Sequence, residues 1–314
     1  RKVIELKPNL FNSHFLLANI LIEKKRLEEA EQYLRKTIEL KPNFFEAHLK
    51  LGAILKDLGQ LQEAEVFIRK AIEFNPNLFN SHFLLGTILL GEKKLQEAEY
   101  SLRKTIELNP DFAEAHSTLG AVLNNLGHLQ EAESSTREAI ELNPSLFNSH
   151  FLLGTILIGQ KKFKEAEQPL RKAIQLKPDF FQAYLQLGAL LKDLGQLEEA
   201  ERSTRKAIEL NPNLFNSHFL LGTILLEQNK LQEAEQPLRK IIAFKPGSFK
   251  AHLNLGAVLQ DLGKLQEAEI SIRKSIDLNP NLFDSHFLLG TNLLEQKKLQ
   301  EAEQSLRKTI ELNP

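Results

Sequence analysis

Apolar residues in this chain recur at helical spacing, inside a pattern that itself recurs with a fixed period of 34 positions, as from Phe11 to Phe45 and from Phe45 to Phe79. From Phe79 onward, His82, Leu85, Gly86 and Leu89 stand at i, i+3, i+4 and i+7, which is one face of an α-helix. A second helical stripe follows at Leu95, Ala98, Leu102, Thr105, Ile106 and Leu108. The same two stripes begin at Phe11, Phe45, Phe79, Ala113, Phe147, Phe181, Phe215, Phe249 and Phe283, which predicts nine helix pairs, the last ending two residues short. Prolines at Pro8, Pro42, Pro76, Pro110, Pro144, Pro178, Pro212, Pro246, Pro280 and Pro314 separate the pairs, because proline cannot continue a helix. Only Pro169 and Pro237 leave this grid; both fall past the first turn of a second helix, where each removes a hydrogen bond and is expected to bend it.

The turns have a chemistry of their own. The residue after each gridded proline is Asn9, Asn43, Asn77, Asp111, Ser145, Asp179, Asn213, Gly247 or Asn281, all good helix N-caps. Glu46, Glu114 and Gln182, three residues later, are expected to complete capping boxes. Gly59, Gly127, Gly195 and Gly263 stand where the first helix turns into the second in even repeats. Odd repeats carry Lys25, Lys93, Lys161, Asn229 and Lys297 there, which predicts either strain or a different turn.

An unbroken period of this length implies a stacked array whose members bury a core only against their neighbours. The fold expected is all-α, a solenoid of helix pairs running through residues 1–314 as one array. Residues 1–10 read as the remnant of a preceding repeat, since Arg1–Pro8 matches repeat ends such as Arg103–Pro110 and Arg307–Pro314. The chain lacks methionine even at its first position, has no signal-peptide pattern, and shows no polar end-capping repeat. It reads as an excerpt of a longer array, or as a subunit whose ends are covered by neighbours.

Composition removes several function classes. Cysteine is absent, which excludes disulfides, thiolate catalysis and cysteine-bound zinc. A net charge of −1 provides no field toward nucleic acid or anionic lipid. No apolar run approaches the ~20 residues that span a bilayer, so membrane insertion is not expected. Nothing in the residues selects between a cytoplasmic and an exported setting.

The spacing His-x2-Leu-Gly-x2-Leu, then a small residue, then proline, resembles the tetratricopeptide repeat over essentially the whole chain. The small residue is alanine throughout: Ala30, Ala64, Ala98, Ala132, Ala166, Ala200, Ala234, Ala268 and Ala302. The wording LQEAE…RKAIELNP is similar to cyanobacterial arrays of this family. The resemblance implies antiparallel helix pairs in a right-handed superhelix, with the first helix of each pair lining a concave surface. The family's usual aromatic at the fourth position is replaced by His in eight repeats and by Tyr184 in the other.

Repeats also alternate in pairs, with a second period of 68 positions, as from Phe11 to Phe79. Odd repeats open with FNSHFLL at Phe11, Phe79, Phe147 and Phe215, and with Asp284 as the single change at Phe283. The face opposite the His-Leu-Gly-Leu stripe is apolar there (Phe83, Leu84, Thr87, Leu90) and charged in even repeats (Glu46, Lys50, Lys56, Asp57). A helix apolar all round is either buried or presents a binding surface. Candidate partner-binding residues on that face are Asn12 and Phe15; Asn80, Phe83, Thr87 and Leu90; Asn148, Phe151, Thr155 and Ile158; Asn216, Phe219, Thr223 and Leu226; and Phe287. The same phenylalanines could instead be inter-repeat core, and the Asn ladder could either bond a peptide backbone or cap helix N-termini.

Other chemistry fits poorly. The histidines His14, His48, His82, His116, His150, His218, His252 and His286 stand a helix layer or more apart, too far to share a metal, and are expected to pack between the helices with one ring nitrogen bonded. Glu31–Arg35 and its equivalents, through Glu303–Arg307, are i, i+4 pairs on a solvated face. Groups repeated nine times do not converge once, as a catalytic site requires, and no phosphate-binding glycine loop is present. Lys50, Lys56 and Lys192 are too scattered for a carboxylate clamp, so an apolar or extended ligand is expected. The residues point to a non-catalytic scaffold, without cofactor, that binds a protein or peptide segment on its concave surface. A subunit assembling with copies of itself into a filament, head-to-tail or laterally, remains an alternative, as does a docking arm of a larger enzyme.

Overall fold

A computed structural model describes residues 10–313. These form eighteen α-helices and no strand. The chain divides into two compact units, one ending at Lys162 and one beginning at Phe163. The first unit holds α1 (Phe11–Glu23), α2 (Leu27–Leu40), α3 (Phe45–Asp57), α4 (Leu61–Phe74), α5 (Phe79–Gly91), α6 (Leu95–Leu108), α7 (Ala113–Leu126), α8 (Leu129–Leu142) and α9 (Phe147–Gly159). The second holds α10 (Phe163–Leu176), α11 (Phe181–Asp193), α12 (Leu197–Leu210), α13 (Phe215–Glu227), α14 (Leu231–Phe244), α15 (Phe249–Asp261), α16 (Leu265–Leu278), α17 (Phe283–Glu295) and α18 (Leu299–Leu312). First helices begin at the nine residues the periodicity marks. Asn9 as a cap, and residues 1–9 of the remnant read at residues 1–10, lie outside the described residues.

Within each unit, the two helices of a pair pack side by side, and each second helix packs on the first helix of the next pair. The repeated alanines are buried completely, from Ala30 to Ala302, because a larger side chain there would hold the paired helices apart. Leu51, Leu55, Ile68, Leu89 and Leu102 fill the space beside them in the first unit, and Leu225, Leu259, Ile272 and Leu293 in the second.

The caps are not where the sequence places them. The extended residue before each first helix is the second after proline, as at Leu10, Phe44, Leu78 and Phe112, and its side chain makes no capping hydrogen bond. Proline and the polar residue after it are instead the two middle residues of a tight turn, closed at Lys41–Phe44 by the Phe44 amide donating to the Lys41 carbonyl at 3.2 Å. Glu46, Glu114 and Gln182 thus sit one position too early for a capping box. Ser248 is the exception: its hydroxyl accepts from the Ala251 amide at 3.4 Å.

The turn inside each pair is likewise one geometry, with no separate form in odd repeats. Gly59, Gly127, Gly195 and Gly263 have φ of 72–83°, and Lys25, Lys93, Lys161, Asn229 and Lys297 have φ of 55–63°. The left-handed conformation brings Cβ close to the backbone, so the odd repeats carry the strain expected of non-glycine residues there. Both kinds close alike: the Lys94 amide donates to the Leu89 carbonyl and the His128 amide to the Leu123 carbonyl, each at 2.9 Å.

Second helices are joined by an ion-pair ladder that the i, i+4 pattern only half describes. Each ladder arginine holds its own-helix glutamate, and several also reach the next repeat, as in Arg69–Glu97 (2.6 Å), Arg103–Glu131 (2.7 Å) and Arg239–Glu267 (2.5 Å). A lysine returns the link, as in Lys94–Glu65 (2.7 Å), Lys162–Glu133 (2.8 Å) and Lys264–Glu235 (2.7 Å). The hydrogen bond from Lys162, aided by Arg137 and Gln160 against the opposing effect of burial, lowers the Glu133 carboxyl to about 2. At Glu269 burial works in the other direction, and hydrogen bonds from Lys298, Gln296 and Arg273 outweigh it to reach about 2. A carboxyl with a lowered folded-state pKa stabilises the fold when ionised in both states. That contribution is lost as pH falls from about 4.5 toward about 2. Melting temperature should therefore fall through that window, and Lys162→Ala should flatten the acid limb in thermal melts recorded against pH.

Candidate functional site

Seven of the first helices, α3, α5, α7, α9, α13, α15 and α17, are fastened to their proline turns by the recurring histidine, while α11 carries Tyr184 at that position. His48, His82, His116, His150, His218, His252 and His286 bond through Nε2 to the carbonyl of the proline six residues earlier, at 2.7–3.0 Å. A carbonyl only accepts, so Nε2 is the donor in each of these bonds. The proline and histidine patterns are two ends of one hydrogen bond. Burial pushes the His48 pKa down, which keeps this ring neutral. Among the described residues, no three metal-ligating side chains converge.

The predicted binding face is only partly open. Phe15 meets the edge of Phe44 at a ring separation of 4.9 Å, and Phe44 also meets Phe11 at 5.3 Å. The arrangement recurs two repeats later, with Phe83 at 4.8 Å and Phe79 at 5.3 Å from Phe112. These half-buried rings join an odd repeat to the residue that opens the next first helix. Phe151 is half-buried as well.

Phe219 differs. Ser248 stands where Phe44 and Phe112 stand in the earlier repeats, so no edge-on partner is available. Its ring stacks back on Phe215 at 6.1 Å and is 41% exposed. Phe287 is also exposed.

Asn12, Asn80, Asn148 and Asn216 lie exposed in the first turns of α1, α5, α9 and α13, and the turn residues before them receive no side-chain cap. The hydroxyls of Thr87, Thr155 and Thr223 donate to carbonyls of their own helices (Leu84, Phe151 and Leu220) at 2.8–3.0 Å. Leu90, Ile158 and Leu226 are half-buried on the same helices. In α13, Asn216 and Phe219 are one turn apart on a face that is open at both residues.

Sequence profiles described as tetratricopeptide repeat match residues 21–82, 79–112, 101–134, 147–180, 181–214, 204–236, 249–282 and 283–314. This chain belongs to the tetratricopeptide repeat family. No curated protein matches it. Among solved structures, it is similar to YrrB, described as a tetratricopeptide protein with an unusual peptide-binding site, at 25% identity and a TM-score of 0.55, over 63% of this chain and 98% of YrrB. PilF of Pseudomonas aeruginosa matches at 20% identity and a TM-score of 0.61, over 69% of this chain and 97% of its own. A tetratricopeptide protein of Parabacteroides merdae matches at 17% identity and a TM-score of 0.59, over 79% and 98%. The last two show the fold alone. Tetratricopeptide arrays are generally interaction scaffolds without catalysis. No helix among the described residues is long and apolar enough to cross a membrane.

Two tetratricopeptide positions escaped the sequence reading. One is the last residue of the odd repeats, Phe44 and Phe112 against Ser248, which decides whether the phenylalanine face is closed. The other is the middle of the second helix, where Tyr33 and Phe67 give way to Ser101, Ser135, Ser203, Ser271 and Ser305. Tyr33 and Phe67 pack over His14 and His48, at ring separations of 5.9 and 5.8 Å. Each of those serines lines an open groove of about 300–620 Å3 between successive second helices. Both signals are visible in the sequence once the repeats are aligned in pairs.

Proposed function

We propose that this chain is a non-catalytic tetratricopeptide scaffold that binds a protein or peptide segment along its first-helix surface, with Phe219 as an apolar anchor. The observation that carries this reading is the exposed Phe219 ring, released by Ser248, with exposed Asn216 one turn away to meet a peptide backbone. The half-buried Phe15 and Phe83 act in it mainly as packing. The peptide-binding description of YrrB supports the same class of ligand. The test is selection from a displayed peptide library on the full chain, followed by affinity measurement on variants. Peptides with an apolar anchor are expected to emerge, and Phe219→Ala and Ser248→Phe are each expected to weaken them about tenfold or more. Ser248→Phe does so by covering the ring while leaving it in place. Unchanged affinity in both folded variants would remove Phe219 from the site.

A further inference from the structure

We infer that the groove between α6 and α8, floored by α7, is a second binding site, which takes an aromatic side chain followed by a basic residue from a partner protein. The groove is about 540 Å3, with Leu119, Leu123 and the His116 ring of α7 on its floor and Ile106 of α6 beside them. The first unit contains its own picture of the occupant. The equivalent residues two repeats earlier form the same structure with the space filled: the Phe67 ring lies 5.8 Å from His48, with the Arg35 guanidinium 5.6 Å from its centroid. His116 corresponds to His48, Arg103 to Arg35, and Ser135 to Phe67. Replacing the ring by a hydroxymethyl group leaves a Phe-sized space between an imidazole and a guanidinium, two groups that favour an aromatic face. Ser135 does not refill it, because its hydroxyl turns to the His116 carbonyl at 3.3 Å.

Charge decides what should follow the ring. Glu138 lines this groove, and the equivalent residue in every other repeat is lysine: Lys36, Lys70, Lys104, Lys172, Lys206, Lys240, Lys274 and Lys308. In four repeats that lysine pairs with the glutamate three residues on: Lys36 with Glu39, Lys104 with Glu107, Lys206 with Glu209 and Lys308 with Glu311. In α8 the corresponding pair is Glu138 and Glu141, two like charges that cannot neutralise each other. Arg103 does not compensate them, since Glu99 and Glu131 already hold it at 2.8 and 2.7 Å. The apolar, aromatic-shaped gap thus has one carboxylate without a partner charge at its edge, Glu138, which a Lys or Arg beside the inserted ring would complement. This site lies among second helices and is independent of the Phe219 surface.

The test titrates the full chain with Ac-Gly-Phe-Arg-Gly-NH2 and follows Leu119 and Leu123 methyl signals by NMR. Saturable shifts at these methyls are expected, with binding at least about tenfold weaker for the Phe→Ala and Arg→Glu peptides. Ser135→Phe should abolish the shifts by restoring the internal plug, with its fold checked by circular dichroism. Glu138→Lys installs the residue common to the other repeats, so it is not expected to disturb folding, and it should weaken binding about tenfold. Absence of shifts at Leu119 and Leu123, or equal binding by Ser135→Phe and Glu138→Lys, would overturn the inference.

Discussion

Phe83→Ala is expected to lower folding stability by about 2–3 kcal/mol, while Phe219→Ala lowers it by about 1 kcal/mol or less. The two residues occupy the same position of the same FNSHFLL segment and differ in their surroundings. Phe83 is packed edge-on against Phe112 and belongs to the shell around the first unit's core. Phe219 has the offset stack on Phe215 as its ring contact and is 41% exposed. Denaturant unfolding of both variants, with hydrogen exchange in α5 and α13 to localise the loss, checks the difference. Because stability in a repeat array is distributed between neighbours, exchange is the more direct readout. Equal losses would mean that the face is uniformly structural and would remove the basis for an anchor at Phe219.

Gly188→Ala and Gly222→Ala are expected to act in opposite directions. A Cβ at Gly188 would stand 2.5 Å from Thr204 Oγ1, and that hydroxyl cannot withdraw, being fully buried and donating to the Ala200 carbonyl at 2.7 Å. Overpacking of this kind costs about 1–3 kcal/mol. At Gly222 the nearest atom is Leu238 Cδ2 at 3.6 Å, an ordinary contact, so alanine's better helix propensity should add up to about 1 kcal/mol. Side-chain size does not explain the extra room, since Leu102 and Leu306 come within 2.7 Å of the same point at Gly86 and Gly290. The difference in the facing helix is Pro237. It lacks the amide hydrogen that would bond the carbonyl four residues earlier, and its ring crowds that carbonyl. The helix α14 nevertheless runs unbroken through it. Chemical denaturation midpoints of the two variants measure the sign directly.

The helix starts were legible because each rests on local rules: a proline that stops one helix, and apolar spacing that starts the next. The caps were misread for a related reason. Composition shows that a turn-forming residue follows proline, but only backbone geometry shows that it is the third residue of a tight turn, with the cap one step later at an apolar side chain such as Leu78. The glutamate–arginine pairs were legible within one helix, and their second half, a glutamate of the following repeat, depends on how neighbouring helices stack. The candidate face was legible as an apolar alternation, yet whether Phe15, Phe83 or Phe219 is available depends on the residue that closes the same repeat, Phe44, Phe112 or Ser248.

The sequence by itself determined the helix pairs, their period and their family, because a repeated local pattern imposes the same local structure every time it occurs. It also carried the alternation of apolar and charged faces. Tertiary structure decided what those repeated residues do. Stacking turned the histidines into clasps for the proline turns, the arginines into links between repeats, and most of the aromatic face into packing. It left Phe219 and the groove below Ser135 open, because burial of a side chain depends on which neighbour the fold places against it.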